Sequence, residues 1–349
     1  MPCSRAGLLA CCAVICLATV PADAAGVKLA ESGSTLMLPL LQSWAAAYAK
    51  AVPDVEISTA GTDSGAGIAA AEAGSAQFGA SDAYMSDVDV MQHPGVLDIP
   101  LAISAQIVAY NLPGLTAPLR LSGPVLAAIY AGTVHDWSDP QVAALNPGVT
   151  LPSHAIVPVR RSDTAGDTFI FTQFLTFSTP SWEAGIGYGT SVPWPAVAGS
   201  VTAAGNAGMV QALAQTPFSV GYVGGSFASQ LEAAKLGTAL LQNEAGKFVL
   251  PTPDGIAAAA AALTPRTPAD ERLTLAFAPG EASYPLINYE YAIVAKQSDP
   301  AVATALRNFL TWTVTPGQGA TAAYLDPGHF IALPTPIRGL TELQIAKIH

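Results

Sequence analysis

Beyond residue 16 this chain has no cysteine: its four, Cys3, Cys11, Cys12 and Cys16, all fall before that point. That excludes disulfides, reactive thiols and Cys-ligated metal from everything downstream. Charge is also scarce. Asp, Glu, Lys and Arg make up 11% of the 349 residues, with 14 basic side chains against 25 acidic ones. A formal net charge of −11 argues against nucleic acid and anionic membranes, both of which select Lys/Arg-rich surfaces. It leaves a small anion in a buried site open, because surface charge is screened over about 8 Å at physiological salt. No apolar run of about 20 residues follows the N-terminal region, so no membrane insertion of the exported chain is expected. The histidines, at 93, 135, 154, 329 and 349, lack metal-ligand spacing, so neither a metal nor a cofactor is expected. The Ser-bearing loops lack the Gly-x-Ser-x-Gly elbow of hydrolases, and Gly65-Ala66-Gly67 lacks the Lys-Ser/Thr of a nucleotide loop.

The N-terminus reads as a targeting segment. Arg5 supplies positive charge, Gly7 to Val20 is apolar, and Ala22-Asp23-Ala24 is a small-x-small cleavage signal. Residues 1–24 are therefore expected to be a signal peptide, placing the mature chain in the periplasm. Leu8-Leu9-Ala10-Cys11 offers a competing reading as a lipoprotein signal. It leaves only about four apolar residues before Cys11, below the usual ~7–15.

Short β-branched runs then alternate with Ala-rich helical ones. Strands are expected at 27–30, 55–59 and 78–81, with helices at 37–51 and 67–73 between them. This order predicts an α/β lobe whose sheet is mainly parallel and flanked by helices. Two further strands, at 107–110 and 291–294, enclose a second set of α/β elements: helices at 124–132, 168–176 and 208–215 and a strand at 221–223. A helix at 300–313 follows. An insertion of this kind predicts two lobes joined by two crossing segments, with residues 25–103 and 287–349 in one lobe and 104–286 in the other. Such a pair can close around a ligand by a hinge motion.

Four loops share one character. Ser32-Gly33-Ser34-Thr35-Leu36 and Gly61-Thr62-Asp63-Ser64-Gly65-Ala66-Gly67 each lie between a strand and a helix. Gly79-Ala80-Ser81-Asp82 ends a strand, and Arg160-Arg161-Ser162-Asp163-Thr164-Ala165-Gly166-Asp167 precedes the apolar run Phe169 to Leu175. A helix start carries unpartnered N–H groups and partial positive charge, and so suits an anion. Arginine adds a planar fork of charged donors. Each loop alone reads equally well as a helix cap; their shared placement beyond strand ends, together with Arg161, points to one anion site.

The set Ser34-Thr35-Leu36, Ser64-Gly65-Ala66-Gly67, Phe78-Gly79-Ala80-Ser81-Asp82 and Arg161-Ser162-Asp163 to Asp167-Thr168-Phe169 resembles the periplasmic phosphate-binding proteins of ABC importers, the mycobacterial branch in particular. The likeness continues through Trp137-Ser138-Asp139-Pro140, Leu145-Asn146-Pro147-Gly148, Gly221-Tyr222-Val223 and Ile287-Asn288-Tyr289-Glu290-Tyr291, covering nearly the whole mature chain. It implies a two-lobed, type II-like fold that closes on inorganic phosphate as a monomer and delivers it to an inner-membrane ABC permease, with no enzymatic step. By motif position, the resemblance makes Ser34, Thr35, Leu36, Ser64, Asp82, Arg161, Ala165, Gly166 and Asp167 phosphate contacts, with Asp163 orienting Arg161. Asp82 would accept a hydrogen bond from the ligand's proton and so disfavour sulfate, which has none. A secreted phosphatase-like enzyme using Ser64 or Asp82, or a binder of another oxyanion, are the competing readings.

Three positions sharpen the question. Ala165 stands where many relatives have Ser, losing a hydroxyl donor. Asp167 adds a second acceptor, suited to a phosphate carrying two protons. Asp63 stands where a small neutral residue is usual; facing the cleft it would repel an anion, and facing outward it would be a turn residue.

Overall fold

The computed structural model describes residues 1–2 and 26–349. The targeting segment, the cysteines and the Cys11 alternative lie outside the described residues. Strands β1 (Val27–Gly33), β2 (Val55–Gly61) and β3 (Phe78–Ser81) alternate with helices α1 (Leu38–Ala51) and α2 (Ser64–Glu72). β1 pairs in parallel with both β2 and β3, as expected of a β-α-β-α-β run with covering helices. α2 rests directly on the sheet. A Cβ on Gly67 would sit 2.6 Å from the Ala80 carbonyl oxygen, so only glycine allows this approach.

β4 runs from Leu97 to Asn111, far longer than the segment its sequence singles out, because nearly all of it is buried on both faces and no regular alternation marks its length. Five more strands complete the sheet: β5 (Val157–Arg161), β6 (Val201–Ala203), β7 (Ser219–Gly224), β8 (Gly237–Thr238) and β9 (Ile287–Val294). The order is β2-β1-β3-β9-β4-β7-β5-β6, with β8 also on β4. Residues 97–105 of β4 pair with β9, whereas 106–111 pair with β7, both antiparallel. β5 pairs in parallel with β6 and β7. Each lobe thus has its own parallel core, and the two sheets share β4. Gln106 N donates to Leu286 O at 2.9 Å, so the second crossing, just before β9, runs alongside the first.

Packing follows from these faces. α1 and α5 (Pro300–Val314) cover the first lobe's sheet, with Tyr48 edge-on to Phe309 at 5.1 Å. In the second lobe, α3 (Gly166–Ser178) is buried on every side from Gly166 to Thr176, which explains an apolar run without amphipathic period. Phe171 of α3 stacks on Tyr222 of β7 at 4.4 Å. The opposite face of that sheet packs Val159 and Val223 with Met209 and Leu213 of α4 (Gly205–Gln215). Burying each such side chain contributes roughly 1.5–3 kcal/mol. Trp137 and Trp182 lie in the core, and Trp194 and Trp312 at its edge. No helix among the described residues is long and apolar enough to cross a membrane.

Candidate anion site

Four helix N-termini converge between the lobes: those of α1 and α2 from the first, and of α3 and α4 from the second. Ser34 precedes α1; its Oγ accepts from the N–H groups of Leu36 and Met37, each at 3.1 Å, and donates to Asp82 Oδ1. The Leu36 amide is therefore held by Ser34 in this arrangement. Thr35 Oγ1 reaches across the cleft and accepts from Asn206 N and Nδ2 at 3.2 and 3.0 Å. Ser64, the first residue of α2, accepts through Oγ from Asp82 N at 3.2 Å. Among the described residues, the backbone N–H groups of Thr35, Ser64, Gly166 and Asp167 meet no protein acceptor. All four sit where a helix start leaves amides outside the internal ladder, which suits an anion.

Arg161 ends β5 with its side chain buried. Nε donates to Asp163 Oδ1 at 2.7 Å, the second nitrogen of the fork to Asp163 Oδ2, and the third to Asp167 Oδ2. Three of the five guanidinium N–H groups are thereby engaged, leaving two for a ligand. Burial works against the charge, but hydrogen bonding to Asp163 and the nearby Asp167 carboxylate outweigh it, so its pKa is raised. Asp163 also accepts from Gly205 N at 3.2 Å, tying the arginine clamp to the start of α4. Although burial opposes it, Arg161 holds the Asp163 carboxyl below its ordinary range.

Asp167 departs from a simple ligand contact. Its Oδ1 accepts from Gln106 Nε2 at 2.9 Å, and its Oδ2 from Arg161 and from Asn206 Nδ2, the latter at 2.7 Å. Burial pushes its carboxyl up while Arg161 and the two amides pull it back. Oδ2 is saturated, so only Oδ1 has acceptor capacity left for a ligand proton. Asp82 is pushed up to about 6, first by burial and next by the Asp167 charge, with hydrogen bonds from Glu290 and Ser34 acting against the rise.

Ala165 is the N-cap of α3 and, lacking a hydroxyl, makes no side-chain cap. Thr164 does not stand in for it: its hydroxyl donates to Asp63 Oδ1 at 2.6 Å, and its carbonyl accepts from Gly65 N at 2.9 Å. Asp63 itself caps α2 by accepting from Ala66 N at 2.7 Å. It is a turn residue whose carboxylate is engaged by Ala66 N and the Thr164 hydroxyl, latching the exposed rim of the two lobes. Gly166 lies against Ser64 and Asp82 at the centre of the contact between lobes.

The expected residues therefore meet at one place. Four others share it without having been singled out: Asn206, Gln106, Asn288 and Glu290. Asn288 Nδ2 donates to the Asp82 carbonyl, and Ser104 Oγ to Glu290 Oε1. The sequence does carry a signal for them. Ser104 and Gln106 in β4, and Asn288 and Glu290 in β9, are polar residues two apart inside otherwise apolar buried strands, so each pair lines one face. Asn206 follows a strand and a glycine, repeating the arrangement of the other loops.

The match to a family model, described as PBP superfamily domain, spans residues 19–316. Phosphate-binding protein PstS from Xylella fastidiosa is 34% identical over 310 residues, covering 88% of this chain and 82% of that protein. The chain belongs to the PstS family of phosphate-binding proteins. PstS3 from Mycobacterium bovis is 32% identical over 346 residues, covering 95% of this chain and 90% of its own. Among solved structures, a high affinity periplasmic phosphate-binding protein (PfluDING) bound with phosphate superposes with a TM-score of 0.73 at 20% identity, covering 90% and 92% of the two chains. At that identity the likeness establishes the two-lobed fold. Membership of the PstS family agrees with the resemblance read from the motifs.

Proposed function

We propose that this protein is an exported, periplasmic solute-binding protein that closes its lobes on inorganic phosphate and passes it to an inner-membrane ABC permease, working as a monomer without catalysis. We place the lobe boundary where the partners of β4 change, between Ala105 and Gln106, and at Leu286-Ile287. The observation that carries the reading is the pairing of two free Arg161 donors and four unpartnered amides with the Asp82 acceptor in one buried site. Thr35, Ser64, Gly166 and Asp167 would donate from their backbone N–H groups, and Arg161 from its fork. Ser34 would hold Asp82 in place, and Asp163 would hold Arg161. A donor set alone would take any oxyanion; buried carboxylates facing it require a ligand that brings its own proton. A phosphatase would need a base on its nucleophile. The partner of Ser64 Oγ is the amide of Asp82, which cannot take up a proton.

Isothermal titration of ligand-stripped protein tests this, with phosphate expected to bind tightly and sulfate to compete poorly. Between pH 7 and 8.5 Asp82, pushed up to about 6, is largely ionised, so the ligand is the main group that titrates. As pH rises the ligand loses a proton, Asp82 and Asp167 are left facing it without a donor, and affinity should fall about tenfold. Flat affinity across that window, or equal binding of sulfate, would overturn the reading.

The missing hydroxyl at Ala165 gives a separate expectation. Ala165 already has the extended backbone of an N-cap, at φ −90° and ψ 135°. Ala165→Ser should tighten phosphate binding about tenfold through one added donor to a charged ligand. It should also stabilise the fold by about 1 kcal/mol through the cap. Calorimetry and thermal melting would separate the two effects.

A further inference from the structure

Glu290 is fully buried at the floor of the cleft, on the strand that enters the first lobe at the second crossing. Its Oε1 accepts from Ser104, while Oε2 has no donor among the described residues. Tyr291 of β9 pairs with Ser81 of β3 in antiparallel register, which sets the adjoining Glu290 and Asp82 opposite one another, close enough for their carboxyl groups to interact. Among the described residues no cation is paired with Glu290, and the Arg161 bridges go to Asp163 and Asp167. Two adjacent buried carboxylates, neither bonded to a cation, would repel, whereas a proton between them satisfies the orphaned oxygen and removes the repulsion. The groups facing the pair are Ser34 before α1, Ser104 on β4, Asn288 on β9, and Arg161 and Asp167 from the second lobe.

We propose that Glu290 is a positioning residue of the anion site: a neutral carboxylic acid whose Oε2 proton is donated to Asp82, keeping Asp82 ionised and aimed as an acceptor for a hydroxyl of bound phosphate. This rests on the phosphate reading above. Burial, then the Asp82 charge, raise the Glu290 carboxyl well above its ordinary range, in keeping with the protonated form. With Ser34 on Oδ1 and Glu290 donating from below, the Asp82 lone pairs that remain are directed into the cleft. Asn288 fixes the same residue from its backbone carbonyl. Glu290 thus acts on the ligand through Asp82 and does not touch it.

Three measurements on the full mature chain test the proposal. Infrared spectroscopy should show a neutral carboxylic acid carbonyl band that disappears in Glu290→Gln, while bands from the other raised buried carboxyls, Glu31, Asp98 and Glu271, persist. In phosphate calorimetry Glu290→Gln, which keeps an N–H donor for Asp82, should stay within about threefold of the unmodified protein. Glu290→Leu should lose about 10- to 100-fold, more at pH 6 than at pH 8, because Asp82 without its donor takes up a proton more readily. A missing infrared difference, or equal losses in the Gln and Leu variants, would overturn the proposal. Should the Leu variant fail to fold, the Gln variant and its spectrum still decide. If the unmodified protein binds no phosphate, the functional reading falls, and the infrared band still reports on the shared proton.

Discussion

Arg161→Ala should abolish tight phosphate binding, with a loss of at least about a hundredfold, since two charged N–H donors to the ligand disappear together. The same change strands two buried carboxylates. Asp163 and Asp167 are both bonded to this guanidinium, and removing one partner from a buried ion pair typically costs about 3–5 kcal/mol. Thermal melting should therefore drop alongside affinity, less at acid pH, where the stranded carboxyls can protonate. Arg161→Lys should fall between: it keeps a charge but cannot form the planar fork on Asp163 while also reaching Asp167 and the ligand. Calorimetry giving near-normal affinity for the Ala variant would show that the site has been placed wrongly.

Gly166→Ala should leave the fold intact while crippling the ligand complex. Gly166 opens α3 with ordinary helical geometry, so alanine suits the helix and is worth up to about 1 kcal/mol there. The obstacle lies across the cleft. An added Cβ would stand 2.5 Å from Ser64 Oγ and 2.6 Å from both Cβ and Oδ2 of Asp82. These atoms belong to the opposite lobe, so the clash exists only when the lobes are closed, and closure is driven by ligand contacts to both sides. Affinity should fall by about a hundredfold or more, with an unchanged or slightly raised melting temperature for the unliganded protein. Small-angle scattering should show that phosphate no longer compacts the variant. Wild-type affinity would mean that Gly166 does not lie on the closing surface.

Much of the architecture was legible in the chain because it rests on local rules. The strand at 78–81 coincides with its expected range, and the helices at 37–51 and 300–313 lie within a residue of theirs. Errors arose where local signals conflict. Gly65 and Gly67 make the start of α2 read as turn, yet the helix begins at Ser64: Gly67 is needed for close packing on the sheet, and Gly65 for the close approach of Thr164. Asn206 is hidden by a similar conflict, since Gly205 and Gly208 move the expected start of α4 to 208. Only four residues of β4 stand out in the sequence, because a strand buried on both faces has no regular alternation by which to measure it.

The sequence by itself determined a chain free of cysteine beyond residue 16, the alternation that builds two α/β lobes, and the donor-rich loops with one arginine placed at strand ends. Each follows from residues within a turn or two of one another, where capping, periodicity and glycine geometry act. Only the tertiary structure decided what those loops do to each other. Asp167, legible as an acceptor for the ligand, turns out to be bonded to Arg161, Gln106 and Asn206, while Thr164 latches onto Asp63. Glu290 comes to lie beneath Asp82, more than two hundred residues away in the chain. The physical reason is that a buried charge must be matched by whatever the fold brings within about 3 Å, and that neighbourhood is set by the crossing of β4 and β9.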